Sequence, residues 1–221
     1  MWFVLLFACV IALGAIIYQW LPEWSRSRAL KRLARQLGLR YVRCDASAPR
    51  RYRFLDDLRK GFARRALNVL KGEYQGYTVQ TFDYRYQTLR RILGDSGRWL
   101  EGHQFTFLLL EQDRPFPEML IHPKGWSTTL RQAVKVPKVD FESVEFSRAF
   151  VVRSRDRKFA YDVCHTRMME YLLQHRDLSL EIEGRCIAIS FLRRLKPEEI
   201  PGRLRQLTEI RQLFPEYLYR D

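Results

Sequence analysis

Residues 64–86 read RRALNVLKGEYQGYTVQTFDYRY, and this stretch decides the fold class. Two runs that are rich in β-branched and aromatic residues flank a turn containing Gly72 and Gly76, which is the pattern of a β-hairpin. In the second run, aromatic residues alternate with polar ones from Phe82 to Tyr86. We therefore expect one face of this strand to lie against a core.

Further strand and helix patterns extend outward from this hairpin. Strands are predicted at residues 39–43, 103–112, 118–123 and 148–154, with a final pair at 178–183 and 186–191 joined by Gly184-Arg185. Helices are predicted at residues 125–134, from an Asp156 cap through Leu172 with a possible break at His165-Thr166, and from Ile200 to Phe214. Runs of strands with helices inserted late favour an α+β fold with a mainly antiparallel sheet and packed helices.

An apolar segment precedes this pattern. Residues 2–21 read WFVLLFACVIALGAIIYQWL, and as a helix they would rise about 30 Å, enough to cross a bilayer once. The alternatives are a cleaved signal peptide, which normally begins with positive charge, and a buried core helix, which normally keeps a polar face. Because basic residues follow the segment and none precedes it, the positive-inside rule predicts a cytoplasmic C-terminal domain.

The sequence SRSRALKRLARQL at residues 25–37 predicts a basic amphipathic helix beside the membrane. Its apolar residues share one face, and its positive charges lie around the rest: Arg26, Arg28, Lys31, Arg32 and Arg35. Either the helix lies in the interface and faces anionic lipid, or it is a linker helix whose leucines pack on the domain. The predicted organisation is a transmembrane helix at 1–21, a basic juxtamembrane helix or linker at 22–38, and an α+β domain at 39–221.

The positive charge of the chain is regional. The formal net charge is +14, and residues 22–65 hold 14 Lys and Arg against four acidic residues. Residues 177–221 hold eight basic and eight acidic side chains, so the C-terminal end shows no polyanion-binding tail, and nucleic acid is not a favoured partner. The four cysteines show no CxxC spacing, which argues against a disulfide framework and for a reducing compartment.

Residues 88–102, TLRRILGDSGRWLEG, are predicted to form a long connection between strands. The segment combines arginines with Trp99 and Leu100. These apolar side chains either insert at the bilayer surface or grip a partner, or they fold back onto the sheet.

No catalytic, metal or cofactor constellation emerges from the sequence. Cys164 and His165 are the residue types of a thiolate nucleophile and its general base. However, Cys164 belongs to the predicted apolar stripe of its helix. His103 and His122 lack any metal-ligand spacing, and no glycine-rich phosphate loop is present. We therefore predict no catalytic residue, no metal and no cofactor.

Residues 68–86 and 141–173, NVLKGEYQGYTVQTFDYRY and FESVEFSRAFVVRSRDRKFAYDVCHTRMMEYLL, resemble segments of small bacterial membrane-anchored proteins in uncharacterised domain families. The resemblance covers most of residues 37–214. It implies a bacterial inner-membrane setting and assigns no activity or site residues.

The leading hypothesis is a non-enzymatic, single-pass membrane-anchored binding or scaffolding module of unknown ligand. Its basic face would point towards anionic lipid, and its opposite face could hold an unidentified membrane protein partner. The alternative is a membrane-tethered enzyme, such as a hydrolase, whose site only the fold assembles. A deep pocket that brings together Asp83, His103, Cys164 or His165 would favour that alternative.

Overall fold

The computed structural model describes residue 2, residues 23–52, residues 55 and 58, and residues 61–91, 98–126 and 136–220. No helix in these described parts is long and apolar enough to cross a membrane. The predicted span at residues 2–21 lies outside them apart from Trp2. The middle of the predicted connection, residues 92–97, and most of the short helix predicted at 125–134 also lie outside them.

The fold is α+β, built on a seven-stranded sheet in which every pairing is antiparallel. The strands are β1 (Arg40–Asp45), β2 (Phe62–Tyr74), β3 (Tyr77–Arg91), β4 (Arg98–Pro123), β5 (Lys138–Val139), β6 (Phe150–Ser154) and β7 (Ser179–Ser190). They follow the order β1-β2-β3-β4-β6-β5, and β7 pairs with β4 along the edge that β3 and β6 leave open. The predicted fold class is confirmed for the described residues.

Within the described residues, α-helices pack on both faces of the sheet. They are α1 (residues 23–36), α2 (Ala48–Arg51), α3 (Val144–Ala149), α4 (Arg157–Val163), α5 (Thr166–Gln174) and α6 (Ile200–Gln212). Asp156 caps α4 as predicted, because its carboxylate accepts a hydrogen bond from the Phe159 amide. The predicted break at His165-Thr166 separates α4 from α5.

The central hairpin joins β2 and β3, as the sequence predicts. Tyr74 pairs with Tyr77, so the turn is Gln75-Gly76, and Gly72 lies within β2. Gly76 has φ +80°, a conformation that glycine adopts without steric cost.

Several predicted boundaries are wrong, and the reason is strand length. The strands predicted at 103–112 and 118–123 are one continuous strand, β4, and the two predicted around Gly184 are one strand, β7. The predicted connection at 88–102 is largely strand as well, since β3 continues to Arg91 and pairs with Arg98 of β4. In the sequence, the glycines and prolines at these positions predict the end of a strand. Hydrogen bonds to neighbouring strands nevertheless hold the chain in strand conformation there.

The two faces of the sheet carry separate apolar clusters. The larger cluster packs α1, α4, α5 and α6 onto one face and includes Leu30, Leu108, Met168, Leu180 and Leu204. The smaller cluster lies under the segment that contains α2 and includes Tyr52, Leu55, Phe82, Tyr84 and Leu109. The sheet is therefore the middle layer of the molecule, and its buried polar residues lie among apolar neighbours.

Candidate functional site

Helix α1 is part of the folded domain. Leu30, Leu33 and Ala34 are buried in the larger cluster, at 1%, 9% and 1% exposure. Burying one such leucine stabilises the fold by about 1.5–3 kcal/mol. The apolar face of α1 therefore lies on the sheet, as in the linker interpretation, and only its polar side faces outward.

A buried carboxylate holds the start of α1 on the sheet. Asp83 of β3 is 2% exposed, and it receives two hydrogen bonds from the Arg26 guanidinium: Nε to Oδ2 at 2.8 Å and Nη2 to Oδ1 at 2.6 Å. The Thr106 hydroxyl donates to Oδ1 at 3.1 Å, and Arg194 Nε approaches Oδ2 at 3.3 Å. Because an unpaired buried charge is costly, these partners specify one position for Arg26.

Arg26 was predicted to face lipid, and this prediction is wrong. Its side chain is 11% exposed, paired with Asp83, and bound through Nη1 to the Leu195 carbonyl at 2.6 Å. The charge pattern of the sequence could not reveal this, because Asp83 lies 57 residues away along the chain.

Two more residues complete this arrangement. The Arg194 guanidinium binds both carboxylate oxygens of Glu23, at 2.6 and 2.7 Å, and these hydrogen bonds lower the pKa of Glu23 below its ordinary value. Asn68 sits in a bulge of β2 with φ +52°, and from there its Nδ2 donates to Asp83 at 3.0 Å. We call the group Glu23, Arg26, Asn68, Asp83 and Arg194 the clamp.

The other predicted basic residues of α1 are exposed. Arg28, Lys31, Arg32 and Arg35 all lie on the outer side of the helix. Arg28 stacks over the exposed Trp24 ring, with its guanidinium carbon 3.3 Å from the ring centroid. This outer side is a basic surface with an aromatic residue at its N-terminal end.

The ends of β3 and β4 extend the sheet as a two-stranded ribbon, which we call the arm: residues 88–91 and 98–101. Leu89, Trp99 and Leu100 are 57%, 57% and 58% exposed, and Leu89 pairs with Leu100 across the ribbon. The structure therefore leaves these side chains open to solvent and does not fold them back onto the sheet.

The arm and the start of α1 lie at the same end of the sheet. Glu23 is 3.3 Å from the Arg85 guanidinium on β3, whereas the far end of α1 leads to Leu39, which contacts Gly72 near the β2–β3 turn. From Arg85 the arm continues six residues to Arg91, about 20 Å at 3.3 Å per strand residue. Helix α1 therefore runs from the arm end of the sheet towards the β2–β3 turn.

A groove of about 550 Å³ opens where β4 and β7 lose register. Between the pairs Glu111–Cys186 and Phe116–Gly184, four residues of β4 lie opposite one residue of β7. Pro115 and Pro117 explain this bulge, because proline has no N–H for a continuous ladder. The lining comprises Arg51, Tyr52, Glu111, Phe116, Glu118, Glu183, Gly184, Arg185 and Cys186.

The lining of the groove is mixed in charge, with three glutamates and two arginines. Burial, together with the carboxylates of Glu111 and Glu183, raises the pKa of the Cys186 thiol to about 12. Burial also raises the pKa of Tyr52, whose hydroxyl lies 3.0 Å from the Glu111 Oε1. Arg51 and Arg185 are exposed at the rim, whereas Tyr52, Phe116 and Cys186 are buried.

The residues considered for catalysis are held in separate environments. Asp83 belongs to the clamp, and His103 stacks on Tyr86 with its Nε2 2.7 Å from the Thr88 hydroxyl. Cys164 is buried, which raises its thiol pKa and disfavours the nucleophilic thiolate, while the His165 Nε2 lies 2.8 Å from the Leu213 carbonyl oxygen. The groove described above is lined by other residues.

No group of three or more His, Cys, Asp and Glu side chains within the described ranges is positioned to hold a metal ion. His175 is the C-cap residue of α5, and its Nδ1 lies 2.8 Å from the Tyr171 carbonyl oxygen. Cys44, Cys164 and Cys186 are free thiols. In the sequence, the closely spaced prolines of β4 indicate that its hydrogen-bond ladder is interrupted where the groove opens. Nothing in the sequence indicates which residues lie opposite them.

Comparison with known proteins identifies a shared fold. No family model matches the chain, and no curated protein matches it. The crystal structure of the mycobacterial trehalose monomycolate transport factor A, TtfA, superimposes with a TM-score of 0.63 at 14% identity, over 86% of this chain and 96% of that chain. At this identity the likeness shows the fold alone, and it extends over nearly the whole of the TtfA chain.

Proposed function

We propose that this protein is a single-pass, membrane-anchored binding or scaffolding module without enzymatic activity, whose domain lies in the cytoplasm. Residues 2–21 form the anchor, and the exposed basic side of α1 faces anionic lipid through Arg28, Lys31, Arg32 and Arg35. The setting is the inner membrane of a bacterium.

The clamp is the observation that carries this proposal. A flexible linker would let the domain tumble beneath its anchor, whereas Asp83 and Glu23 bind the start of α1 to the sheet. The start of α1, which follows the anchor, is thereby held at the arm end of the sheet. The same end carries the exposed Trp99 and Leu100, so we propose that this end of the sheet faces the bilayer.

The fold shared with a trehalose monomycolate transport factor supports a proposed role in lipid transport. A module that holds its place on a membrane without catalysis suits an accessory role in moving a lipid. We propose that this chain acts as such an accessory protein and binds a membrane protein partner.

The orientation can be tested with a nitroxide spin label on the arm. The full chain, carrying Leu100→Cys with Cys9→Ser and Cys44→Ser, is reconstituted in vesicles that contain phosphatidylglycerol. We expect the label at residue 100 to be more accessible to oxygen than to a water-soluble nickel chelate, because the arm tip contacts lipid.

The matched control places the label at Val144, which is exposed at the start of α3. Helix α3 leads into β6, which pairs with the end of β4 farthest from the arm, so this label should remain in water. Equal aqueous accessibility at both positions would show that the arm does not meet the bilayer.

A further inference from the structure

The two faces of the arm present different residues. Every second residue of a strand shares a face, so Leu89 lies on the same face of β3 as Asp83 and Arg85, both of which contact α1. Leu100 pairs directly with Leu89 and shares that face, whereas Trp99 lies on the opposite one. The exposed leucines of the arm therefore continue the surface on which α1 packs.

Helix α1 runs nearly parallel to β3. Its 14 residues, 23–36, rise about 21 Å at 1.5 Å per residue. The helix starts beside Arg85, and its far end leads to Leu39, which contacts Gly72. Gly72 pairs with Val79, and β3 rises about 20 Å from there to Arg85. Because the two lengths agree, the axis of α1, extended backward beyond its first residue, passes over the arm.

The chain that precedes α1 is long enough to reach the two leucines. Leu89 lies four residues beyond Arg85 along β3, about 13 Å at 3.3 Å per residue. As a helix, residues 14–22 would rise about 14 Å. They read GAIIYQWLP, in which Gln19 is the one clearly polar side chain. A segment of this length and composition matches an apolar face of this size and position.

We propose that residues 14–22 pack as a helix on the leucine face of the arm and cover Leu89 and Leu100. Covalent attachment to α1 favours this occupant over a second molecule, because it gives the segment an effective concentration on the order of millimolar at the arm. The inference rests on the proposed function for the anchor. It adds that one face of the arm contacts the anchor itself, while Trp99 points away from it.

Disulfide trapping in the full chain tests this docking. The starting chain carries Cys9→Ser and Cys44→Ser and is reconstituted in vesicles that contain phosphatidylglycerol. Leu100→Cys is combined with a second cysteine at one of four consecutive positions, because one helical turn presents each side of the segment once. The four substitutions are Gly14→Cys, Ala15→Cys, Ile16→Cys and Ile17→Cys.

After oxidation with copper phenanthroline, peptide mass spectrometry measures the disulfide formed within one chain. We expect at least one of the four positions to link to residue 100, because a disulfide requires Cα atoms within about 7 Å, a distance that direct packing provides. The matched control carries Trp99→Cys in place of Leu100→Cys. Its disulfides should form at least about tenfold more slowly, since Trp99 lies on the other face of the arm.

Equal rates for the two arm positions, or no disulfide within a chain at any of the four anchor positions, would overturn the proposal. A disulfide that joins residue 100 of two chains, without one inside a chain, would mean that a second copy covers the leucines, which also overturns it.

The spin-label experiment on the arm keeps the two proposals separable. If the disulfide forms while the nickel chelate reaches the label at residue 100 as readily as the label at Val144, the docking stands and the membrane orientation fails. If the label contacts lipid and no disulfide forms within a chain, the orientation stands and the docking fails.

Discussion

At the scale of single residues, Asp83 connects α1, β2 and the segment after β7. In the sequence it is one of the polar residues that alternate with aromatic ones along β3, which predicts a position facing solvent. In the structure it is buried and surrounded by Arg26, Arg194 and Asn68. The alternation correctly assigned its face of the strand, but helix α1 covers that face.

We expect Asp83→Asn to destabilise the domain by about 3–5 kcal/mol, because Arg26 would keep its charge without a buried counter-ion. The free energy of unfolding of the full chain in detergent, measured by urea denaturation, provides the test. Glu216→Gln removes the exposed ion pair with Arg220 and should cost no more than about 0.5 kcal/mol. Similar losses for the two variants would mean that the clamp contributes little.

At the scale of secondary-structure elements, α1 and β4 depart most from the sequence prediction. Residues 22–38 read as a juxtamembrane segment in front of the domain, yet the leucines of α1 belong to the main core. Strand β4 runs from the arm, past β3 and β6, to Pro123, with a bulge in the middle that opens the groove. One strand thus carries the arm at its start and the groove near its middle.

A matched pair of leucines tests whether α1 is part of the domain. Leu30 is 1% exposed and Leu192 is 60% exposed. We expect Leu30→Ala to reduce the free energy of unfolding by about 2–5 kcal/mol, because it leaves a cavity in the core. Leu192→Ala should change it by about 0.5 kcal/mol or less. A small loss for Leu30→Ala, equal to that of Leu192→Ala, would mean that α1 detaches from the sheet in solution.

At the scale of the whole molecule, charge and exposed apolar groups are distributed unevenly. The start of α1 and the apolar residues of the arm lie towards one end of the sheet, and the carboxylates of the groove lie about 43 Å from Arg98 along β4. Under the proposed function, the arm end of the domain is the end that faces lipid.

The proposed orientation predicts which side of the membrane Cys44 occupies. Cys44 is an exposed, free thiol, so a membrane-impermeant maleimide should label it only after the cells are permeabilised. Trp2→Cys, tested in a chain that carries Cys9→Ser and Cys44→Ser, should be labelled in intact cells. Labelling of Cys44 in intact cells would reverse the proposed topology.

The sequence by itself determined the fold class, the central hairpin, the Asp156 cap and the uneven distribution of charge. These features follow from contacts between residues close in the chain, and from side-chain periodicity, which local sequence records. Only the tertiary structure decided that Arg26 is an internal ion-pair partner, that Trp99 and Leu100 remain exposed on an extended ribbon, and that Glu111 and Glu183 meet in a groove. Each of these features depends on residues from distant parts of the chain that strand pairing and helix packing bring together. The pattern of neighbouring residues in the sequence does not indicate which distant residues will be in contact.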